Sequence, residues 1–497
     1  MSDEFKLVTR DFFYEKKIRY ARGNMIKFGT SGWRGVIAQD FTFKNLKLAV
    51  LGIADYLTVK KAKKGVIVGY DTRFMSERFA HEVVLVLASR GIKSYLADRD
   101  TPTPVISAYI IKNKLDGGIN ITASHNPFQY SGLKFSPSWG GSALPEDTIA
   151  IEEFILKNDK NYEPLYHSMD EVKRECLCEV IDPKKDYYEM LMSNIDLKPA
   201  SKNGIKVFYD PIFGTGRGYL DEICKKAGIE ITALNNFRDP YFGNMSPEPS
   251  SENLFNLKAM IQKEKGLSIG VSTDGDADRF GIIGSDGSFI EPNKIIALLG
   301  DYLARERQYP KGIGFARSFA TGSLIDLVAK KHSLKLYENP VGFKYIGKLI
   351  SENKIILGGE ESAGLSIMNH VPEKDGILAC LLIVEMMGRY KSGTEELLND
   401  LYKRVGRLET KRENFRVGTE VKEALPKKIN ELRDKFEGEK IEKIEKMDGT
   451  KIYFKDNSWL LFRESGTEPV VRLYGEAQNE GGLDSLMKKG EQFLFAK

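Results

Sequence analysis

Short apolar runs, each leading through a polar turn into an amphipathic stretch, recur over roughly the first 390 residues, and this alternation restricts the chain to α/β domains with largely parallel strands. Val66-Ile67-Val68-Gly69-Tyr70 has the continuous apolar character of a strand buried on both faces. Met75 to Arg90 follows with helical spacing and an apolar face of Phe79, Val83, Val84 and Leu87. Ile92 to Ala97 predicts the next strand, Val105 to Lys112 a short helix after Thr101-Pro102-Thr103-Pro104, and Gly118 to Thr122 a further strand. A second round runs from the strand Ile205–Tyr209, through a strand near Ile229–Ala233 and a helix near Asn253–Lys263, to the strand Leu267–Ser272. A third runs from Gly312–Ala316 to Ile355–Leu357. The repeat is one of topology, not of sequence.

The chain's 497 residues exceed what one hydrophobic core organises. The pattern divides them into α/β domains over 1–185, 186–292 and 293–408 and a smaller α+β domain over 409–497. In that last part Ile441–Ile444, Lys451–Phe454 and Trp459–Phe462 read as antiparallel strands, with Asp448-Gly449 in a tight turn and Leu483–Leu494 as a closing helix. Glu409–Val421 is polar and is expected to contain a hinge. In each α/β unit a polar loop follows the carboxyl end of a buried strand, where ligands bind in open α/β sheets.

Charge is nearly balanced, 74 basic against 70 acidic residues for a net +4, and the lysine runs are short and mixed, which favours a solvated surface over nucleic-acid binding. Four cysteines without a Cys-x-x-Cys pair suit a reducing compartment rather than a disulfide framework or a zinc site. No apolar leader opens the chain and no apolar run has membrane-spanning length, so a cytoplasmic enzyme without a membrane partner is expected.

Five segments carry chemistry. Asp274-Gly275-Asp276-Ala277-Asp278-Arg279 leaves a buried strand with alternating carboxylates that a curled loop aims at one point, which suits a hard cation such as Mg²⁺. It is not an EF-hand, whose sixth and twelfth positions would here be Arg279 and Ser285. The competing reading is an acidic surface turn. Thr122-Ala123-Ser124-His125-Asn126-Pro127 offers a serine without the Gly-x-Ser-x-Gly of a hydrolase elbow, and adjacent serine and histidine side chains ordinarily diverge. Taken alone it reads equally as an Asx turn before Pro127. Lys134, ten residues beyond Ser124, can act as a base if desolvated, and is otherwise a surface lysine. Arg463-Glu464-Ser465-Gly466-Thr467-Glu468-Pro469, followed by Arg472, suits a phosphate dianion, or is a polar turn. Gly359-Glu360-Glu361-Ser362 can bond sugar hydroxyls at a strand end, or is a solvated turn. Phe28-Gly29-Thr30-Ser31-Gly32-Trp33-Arg34-Gly35 places glycines around an arginine, as where backbone approaches a ligand closely. A Walker A motif is absent.

Together, and in this order over nearly the whole chain, these segments resemble the α-D-phosphohexomutase family, in its phosphoglucomutase and phosphomannomutase branches. The resemblance implies four domains around one deep cleft. It implies that Ser124 is a phosphoserine and that Mg²⁺ is held by its phosphate with Asp274, Asp276 and Asp278. Arg34, His125 and Arg279 would surround the transferring phosphate, with Lys134 as general base. Glu360 and Ser362 would contact sugar hydroxyls, with Lys374 and the looser Asn339–Lys344 loop around Gly342 also reaching substrate. Arg463, Ser465, Gly466, Thr467 and Arg472 would grip the phosphate that does not react.

Gly-Glu-Glu-Ser resembles the glucose branch more than the Gly-Glu-Met-Ser of bifunctional mannose enzymes, and Phe-Gly-Thr-Ser-Gly-Trp-Arg-Gly departs from the phosphoglucosamine form. The expectation is therefore interconversion of glucose 1-phosphate and glucose 6-phosphate through a bound glucose 1,6-bisphosphate, by a monomer or small homo-oligomer acting on small sugar phosphates. A phosphomannomutase, or a bifunctional phosphomannomutase/phosphoglucomutase, is the alternative, with phosphoglucosamine mutase further off. A sugar-phosphate hydrolase would need a further base for water, and a non-catalytic binding protein should have lost Ser124, Lys134 or a metal-loop aspartate; all of these are present.

Overall fold

The computed structural model describes residues 26–464 and 470–496. It divides into two compact units, one running to Tyr187 and including Arg238–Pro247, the other formed by Tyr188–Phe237 and the chain from Glu248 onward.

The first unit is built on six strands: β1 (Trp33–Val36), β2 (Val66–Tyr70), β3 (Ser94–Ala97), β4 (Gly117–Ile121), β5 (Tyr130–Pro137) and β6 (Cys178–Ile181), in the order β1-β5-β4-β2-β3-β6. β4, β2, β3 and β6 run parallel, while β5 returns antiparallel beside β4 and carries β1 antiparallel on its outer side. β2 and β4 are buried along their whole length, which is why they read as unbroken apolar runs. Helix Phe43–Val59 starts where the Thr42 side chain accepts from the Asn45 N–H. Helix Ser76–Ser89 buries Phe79, Val83, Val84 and Leu87 as the spacing requires, with Met75 and Arg90 as its caps. The short helix expected at Val105–Lys112 spans Thr103–Asn113, with its proline in the first turn.

The second unit holds three sheets. Strands β7 (Lys206–Asp210), β8 (Glu230–Ala233), β9 (Ser268–Thr273) and β10 (Phe280–Ile283) take the order β10-β9-β7-β8. Strands β11 (Gly314–Ser318), β12 (Lys335–Asn339), β13 (Ile355–Glu360) and β14 (Gly364–Ile367) take the order β12-β11-β13-β14. Each is parallel except for its last strand, β10 beside β9 and β14 beside β13. The third sheet is antiparallel throughout: β15 (Glu409–Arg416), β16 (Lys435–Phe436), β17 (Glu439–Lys446), β18 (Thr450–Phe454), β19 (Trp459–Glu464) and β20 (Val470–Ala477), in the order β15-β20-β19-β18-β17-β16. Helix Glu480–Phe495 closes one face of it through Leu483, Leu486, Met487 and Phe493.

One device recurs in all three α/β sheets. A buried parallel strand (β4, β9 or β13) ends, a short polar loop follows, and the chain returns antiparallel in the very next strand. Residues 122–129, 274–279 and 361–363 are those loops. The segment Glu409–Val421 is strand β15 followed by the start of helix Thr419–Glu431. It reads as polar because β15 is an edge strand that pairs only with β20 and alternates half-buried with exposed side chains. The turn at Asp448-Gly449 is as expected, with Gly449 at φ +99° between β17 and β18.

Candidate active site

In the first unit the serine loop hangs between β4 and β5. Ser124 is 2% exposed and has φ 51°, a left-handed conformation that serine adopts only at a cost of about 1–2 kcal/mol. The bend is held locally by Thr122 Oγ1, which accepts from the Ser124 N–H at 2.9 Å. It is held from below by Arg73. The buried guanidinium donates to the carbonyls of Ser124 (2.6 Å), Asn126 (2.7 Å), Pro127 (2.8 Å) and Tyr130 (3.1 Å). Its Nε donates to Asp71 Oδ2 at 2.9 Å, while Asp71 Oδ1 accepts from the Arg73 N–H and the Ser76 hydroxyl. The Phe242 ring lies 5.0 Å from the guanidinium carbon, and Ser246 donates its hydroxyl to the His125 carbonyl.

Arg34, on β1, donates to Asn126 Oδ1 at 2.6 Å and so reaches the same loop. Gly32 makes that approach possible: at φ +94° a Cβ there would stand 2.3 Å from the Leu133 carbonyl oxygen. Lys134 lies on β5 opposite Asn120 and is 7% exposed, so it is a desolvated lysine rather than a surface one. One expectation needs amendment. Ser124 Oγ and His125 Nδ1 do not diverge but lie 3.4 Å apart, at the outer limit of a hydrogen bond, because the left-handed serine turns its side chain toward its neighbour.

In the second unit the aspartate loop joins β9 to β10. Asp274, Asp276 and Asp278 are buried, and their ligand oxygens lie within 4.8 Å of one another. Asp274 Oδ1 also accepts the Asp278 and Arg279 N–H groups at 3.0 and 3.1 Å, which curls the loop. Three buried carboxylates at this spacing repel unless a cation joins them, and an all-oxygen set of hard ligands fits Mg²⁺. Lys374 supplies part of that charge, with Nζ 3.0 Å from Asp278 Oδ2 and 2.9 Å from Glu373 Oε1. Its segment is seated on the loop, for Gly376 donates its N–H to the Ala277 carbonyl and leaves no room for a Cβ against Arg279. Lys374 thus touches the metal loop. Burial works against the Arg279 guanidinium, but Asp278, Asp274, Glu248 and Glu360 hold it charged.

Glu360 ends β13 and its Oε1 accepts the Gly342 N–H at 2.8 Å, at the start of helix Phe343–Ser351. Two segments that the sequence places eighteen residues apart therefore meet. Burial, with Glu361 adjacent, pushes the Glu360 carboxyl up to about 7. Glu361 faces a different way: its Oε2 accepts from the hydroxyls of Ser318 (3.1 Å) and Thr321 (3.2 Å). The residue that separates Gly-Glu-Glu-Ser from Gly-Glu-Met-Ser is thus one that braces the loop. Ser362 is half-buried in the turn between β13 and β14.

Arg463 and Arg472 are directly opposite each other on β19 and β20. Facing like charges destabilise a sheet unless an anion lies between them. Asp448 answers part of this by accepting from Arg463 Nε at 3.0 Å and Nη2 at 3.3 Å. Ser465, Gly466 and Thr467 lie outside the described residues.

Arg73 and Asp71 were not singled out from sequence, and Asp448 was read only as part of a turn. Tyr70-Asp71-Thr72-Arg73 did carry a signal, since charged residues at the carboxyl end of a buried strand sit where the other site loops sit.

An α/β scaffold with strand-end loops bearing a buried serine, an acidic triad and an arginine pair is one suited to moving phosphate. Four family models match in chain order: phosphoglucomutase/phosphomannomutase α/β/α domain I over residues 25–162, domain II over 185–287, domain III over 291–405 and the C-terminal domain over 416–489. A phosphoglucomutase/phosphomannomutase of Thermococcus kodakarensis is 31% identical, over 94% of this chain and 98% of its own. A probable phosphoglucosamine mutase of Methanosphaera stadtmanae is 28% identical over the same two shares, 94% and 98%. The crystal structure of a putative phosphomannomutase from Thermus thermophilus superposes with a TM-score of 0.82 at 30% identity, covering 95% of this chain and 99% of that one. The chain belongs to the phosphoglucomutase/phosphomannomutase family. It is a phosphohexomutase-type enzyme, and its relatives' names span more than one sugar. Among the described residues no helix is long and apolar enough to cross a membrane.

Two outcomes are expected. Arg73→Leu leaves Asp71 buried without its guanidinium and four carbonyls without their donor. It should cost about 4 kcal/mol in urea unfolding and should expose the serine loop to proteolysis in the folded state. For Glu360, the carboxyl is raised in the folded state, so its stabilising contribution is complete below its ordinary value of 4.5 and is lost as pH rises toward about 7. Relative to Glu360→Gln, the wild type should lose on the order of 3 kcal/mol of unfolding free energy across that window. Equal pH slopes in the two proteins would show that Glu360 is not a raised carboxyl.

Proposed function

We propose that the chain interconverts glucose 1-phosphate and glucose 6-phosphate, with Ser124 as the phosphate carrier and glucose 1,6-bisphosphate as the bound intermediate. The observation that carries this reading is the serine loop: a buried serine held in a left-handed bend and fastened through its backbone by a buried arginine, with His125 beside its hydroxyl. In the first transfer the Ser124 Oγ–P bond breaks, a sugar hydroxyl oxygen bonds to that phosphorus, and the hydroxyl proton passes through Lys134, first base and then acid, to the departing Ser124 Oγ. In the second transfer Ser124 Oγ gives up that proton and bonds to the other phosphorus of the bisphosphate, and the sugar oxygen released there takes the proton. Arg34, His125 and Arg279 offset charge on the moving phosphoryl group. Asp274, Asp276 and Asp278 hold Mg²⁺, which when bound neutralises phosphate oxygens. Gly342, Glu360 and Ser362 read the sugar, with Glu360 protonated or ionised near neutral pH. Arg463 and Arg472, with Ser465, Gly466 and Thr467, grip the phosphate that is not reacting. Lys374, beside Asp278, also reaches substrate.

The choice of glucose rests on the resemblance of Gly359-Glu360-Glu361-Ser362 to the glucose branch, and Glu361 makes hydrogen bonds to Ser318 and Thr321 that a methionine side chain could not make. The reading is tested by supplying glucose, mannose and glucosamine 1-phosphates in parallel, each with a trace of its bisphosphate. Glucose 1-phosphate should be converted fastest, and Ser124→Ala should abolish conversion even with bisphosphate present. Faster turnover of mannose or glucosamine 1-phosphate would move the assignment to that sugar. Wild-type rates in Ser124→Ala would remove the serine from the mechanism.

A further inference from the structure

Residues 319–323, the loop after β11, stand between the sugar loop and the antiparallel sheet of the second unit. On one side Phe319 donates its N–H to the Asn339 carbonyl at 2.8 Å, and the Thr321 hydroxyl accepts the Glu361 N–H at 3.1 Å. On the other side the antiparallel sheet holds the same loop at three points. Lys451 Nζ donates to the Phe319 carbonyl at 3.0 Å. Glu476 Oε2 accepts the Ser323 N–H at 2.6 Å, while its Oε1 accepts Trp459 Nε1–H at 2.7 Å. Thr410 Oγ1 accepts from Asn293 Nδ2 at 2.9 Å, and Asn293 Oδ1 in turn accepts the Gly322 N–H at 3.2 Å.

Lys451 is the unusual member. Its side chain is wholly buried, and its ammonium lies 3.7 Å from the Trp459 ring centroid, 5.2 Å from that of Phe319 and 5.3 Å from that of Tyr453. Three aromatic faces around one cation make a cage of the kind that selects an ammonium. Burial, together with Arg317, pulls its pKa down to about 7, against Glu338, Glu476 and Asp326. An apolar side chain would be cheaper at this position, and a buried charge retained at an interface fixes one docking register among several.

The register matters because of what lies further along the same strand face. Trp459, Leu461 and Arg463 alternate on β19, opposite Glu476, Tyr474 and Arg472 of β20. The first two pairs pack against Phe319 and Ala320, and the third is the arginine pair. Glu361, braced by the same loop, is among the carboxylates that keep Arg463 charged.

We propose that Lys451, caged by Trp459, Phe319 and Tyr453, is a positioning residue that docks the antiparallel sheet on the 319–323 loop and so sets the Arg463–Arg472 pair at a fixed distance from Glu360 and Ser362. The proposal rests on the reading of those two groups as phosphate and sugar contacts. It concerns only their mutual placement within the second unit and does not depend on which sugar is bound.

The test uses the full-length enzyme and whichever hexose 1-phosphate the wild type converts fastest, so that a failure of the glucose assignment appears in the wild type and leaves this comparison intact. Lys451→Met should raise KM about tenfold while kcat stays within about threefold, because the two grips on substrate are mis-set before chemistry begins. Trp459 emission should change when the cation leaves its ring. Glu476→Gln, which keeps Lys451 but weakens the ties to Ser323 and to the Trp459 indole, should raise KM in the same direction and serves if Lys451→Met does not fold. A folded variant whose KM remains within about twofold of wild type overturns the proposal, whatever its melting temperature or kcat.

Discussion

Arg73 is the point on which the serine half of the site depends. A loop at the end of a buried strand exposes carbonyls that no neighbouring strand can satisfy, and leaving them unpaired costs free energy that a marginally stable domain lacks. One planar guanidinium with five donors meets four of these carbonyls and its own carboxylate partner at once. The strained conformation of Ser124 persists because the groups around it are held this firmly. The aspartate loop meets the same difficulty with other means. Asp274 satisfies the loop's own N–H groups, and Lys374 offsets the charge of Asp278. In the β12-β11-β13-β14 sheet, Glu360 accepts the N–H of Gly342, the cap of a helix, and Glu361 accepts from the hydroxyls of the adjoining loop.

These loops share an architecture that sequence showed only in part. The parallel strands were legible because both faces are buried and their residues are continuously apolar, as in Val66–Tyr70 and Ser268–Thr273. The antiparallel returns were not. β5 mixes Ser131, Gly132 and Lys134 into its run, and β10 and β14 are only four residues long, too short for a periodicity to register. β15 was hidden for a different reason: as an edge strand it carries charge where an inner strand carries valine.

The chemistry-bearing loops were legible because they combine residue types that few other tasks require, such as the alternating carboxylates of Asp274–Asp278. Their supports were not, because a support acts on backbone atoms or across long separations. Arg73 binds carbonyls, which leave no trace in a sequence pattern, and Asp448 meets Arg463 across fifteen residues only because β18 pairs with β19 and brings the turn before it alongside. The contact of Lys374 with Asp278 likewise spans nearly a hundred residues. The sugar itself is the least legible element, since Glu361, where Gly-Glu-Glu-Ser differs from Gly-Glu-Met-Ser, bonds Ser318 and Thr321 some forty residues away, a pairing that leaves no mark in a short motif.

The central claim is that the Ser124 hydroxyl, in the Arg73-clamped bend, is the one that carries phosphate. The most direct measurement is mass-spectrometric mapping of the protein after exposure to glucose 1,6-bisphosphate and Mg²⁺, and again after a chase with glucose 1-phosphate. The account predicts a single added phosphate on Ser124 that the chase removes. A phosphate on any other residue, or one on Ser124 that the sugar monophosphate cannot discharge, would contradict it.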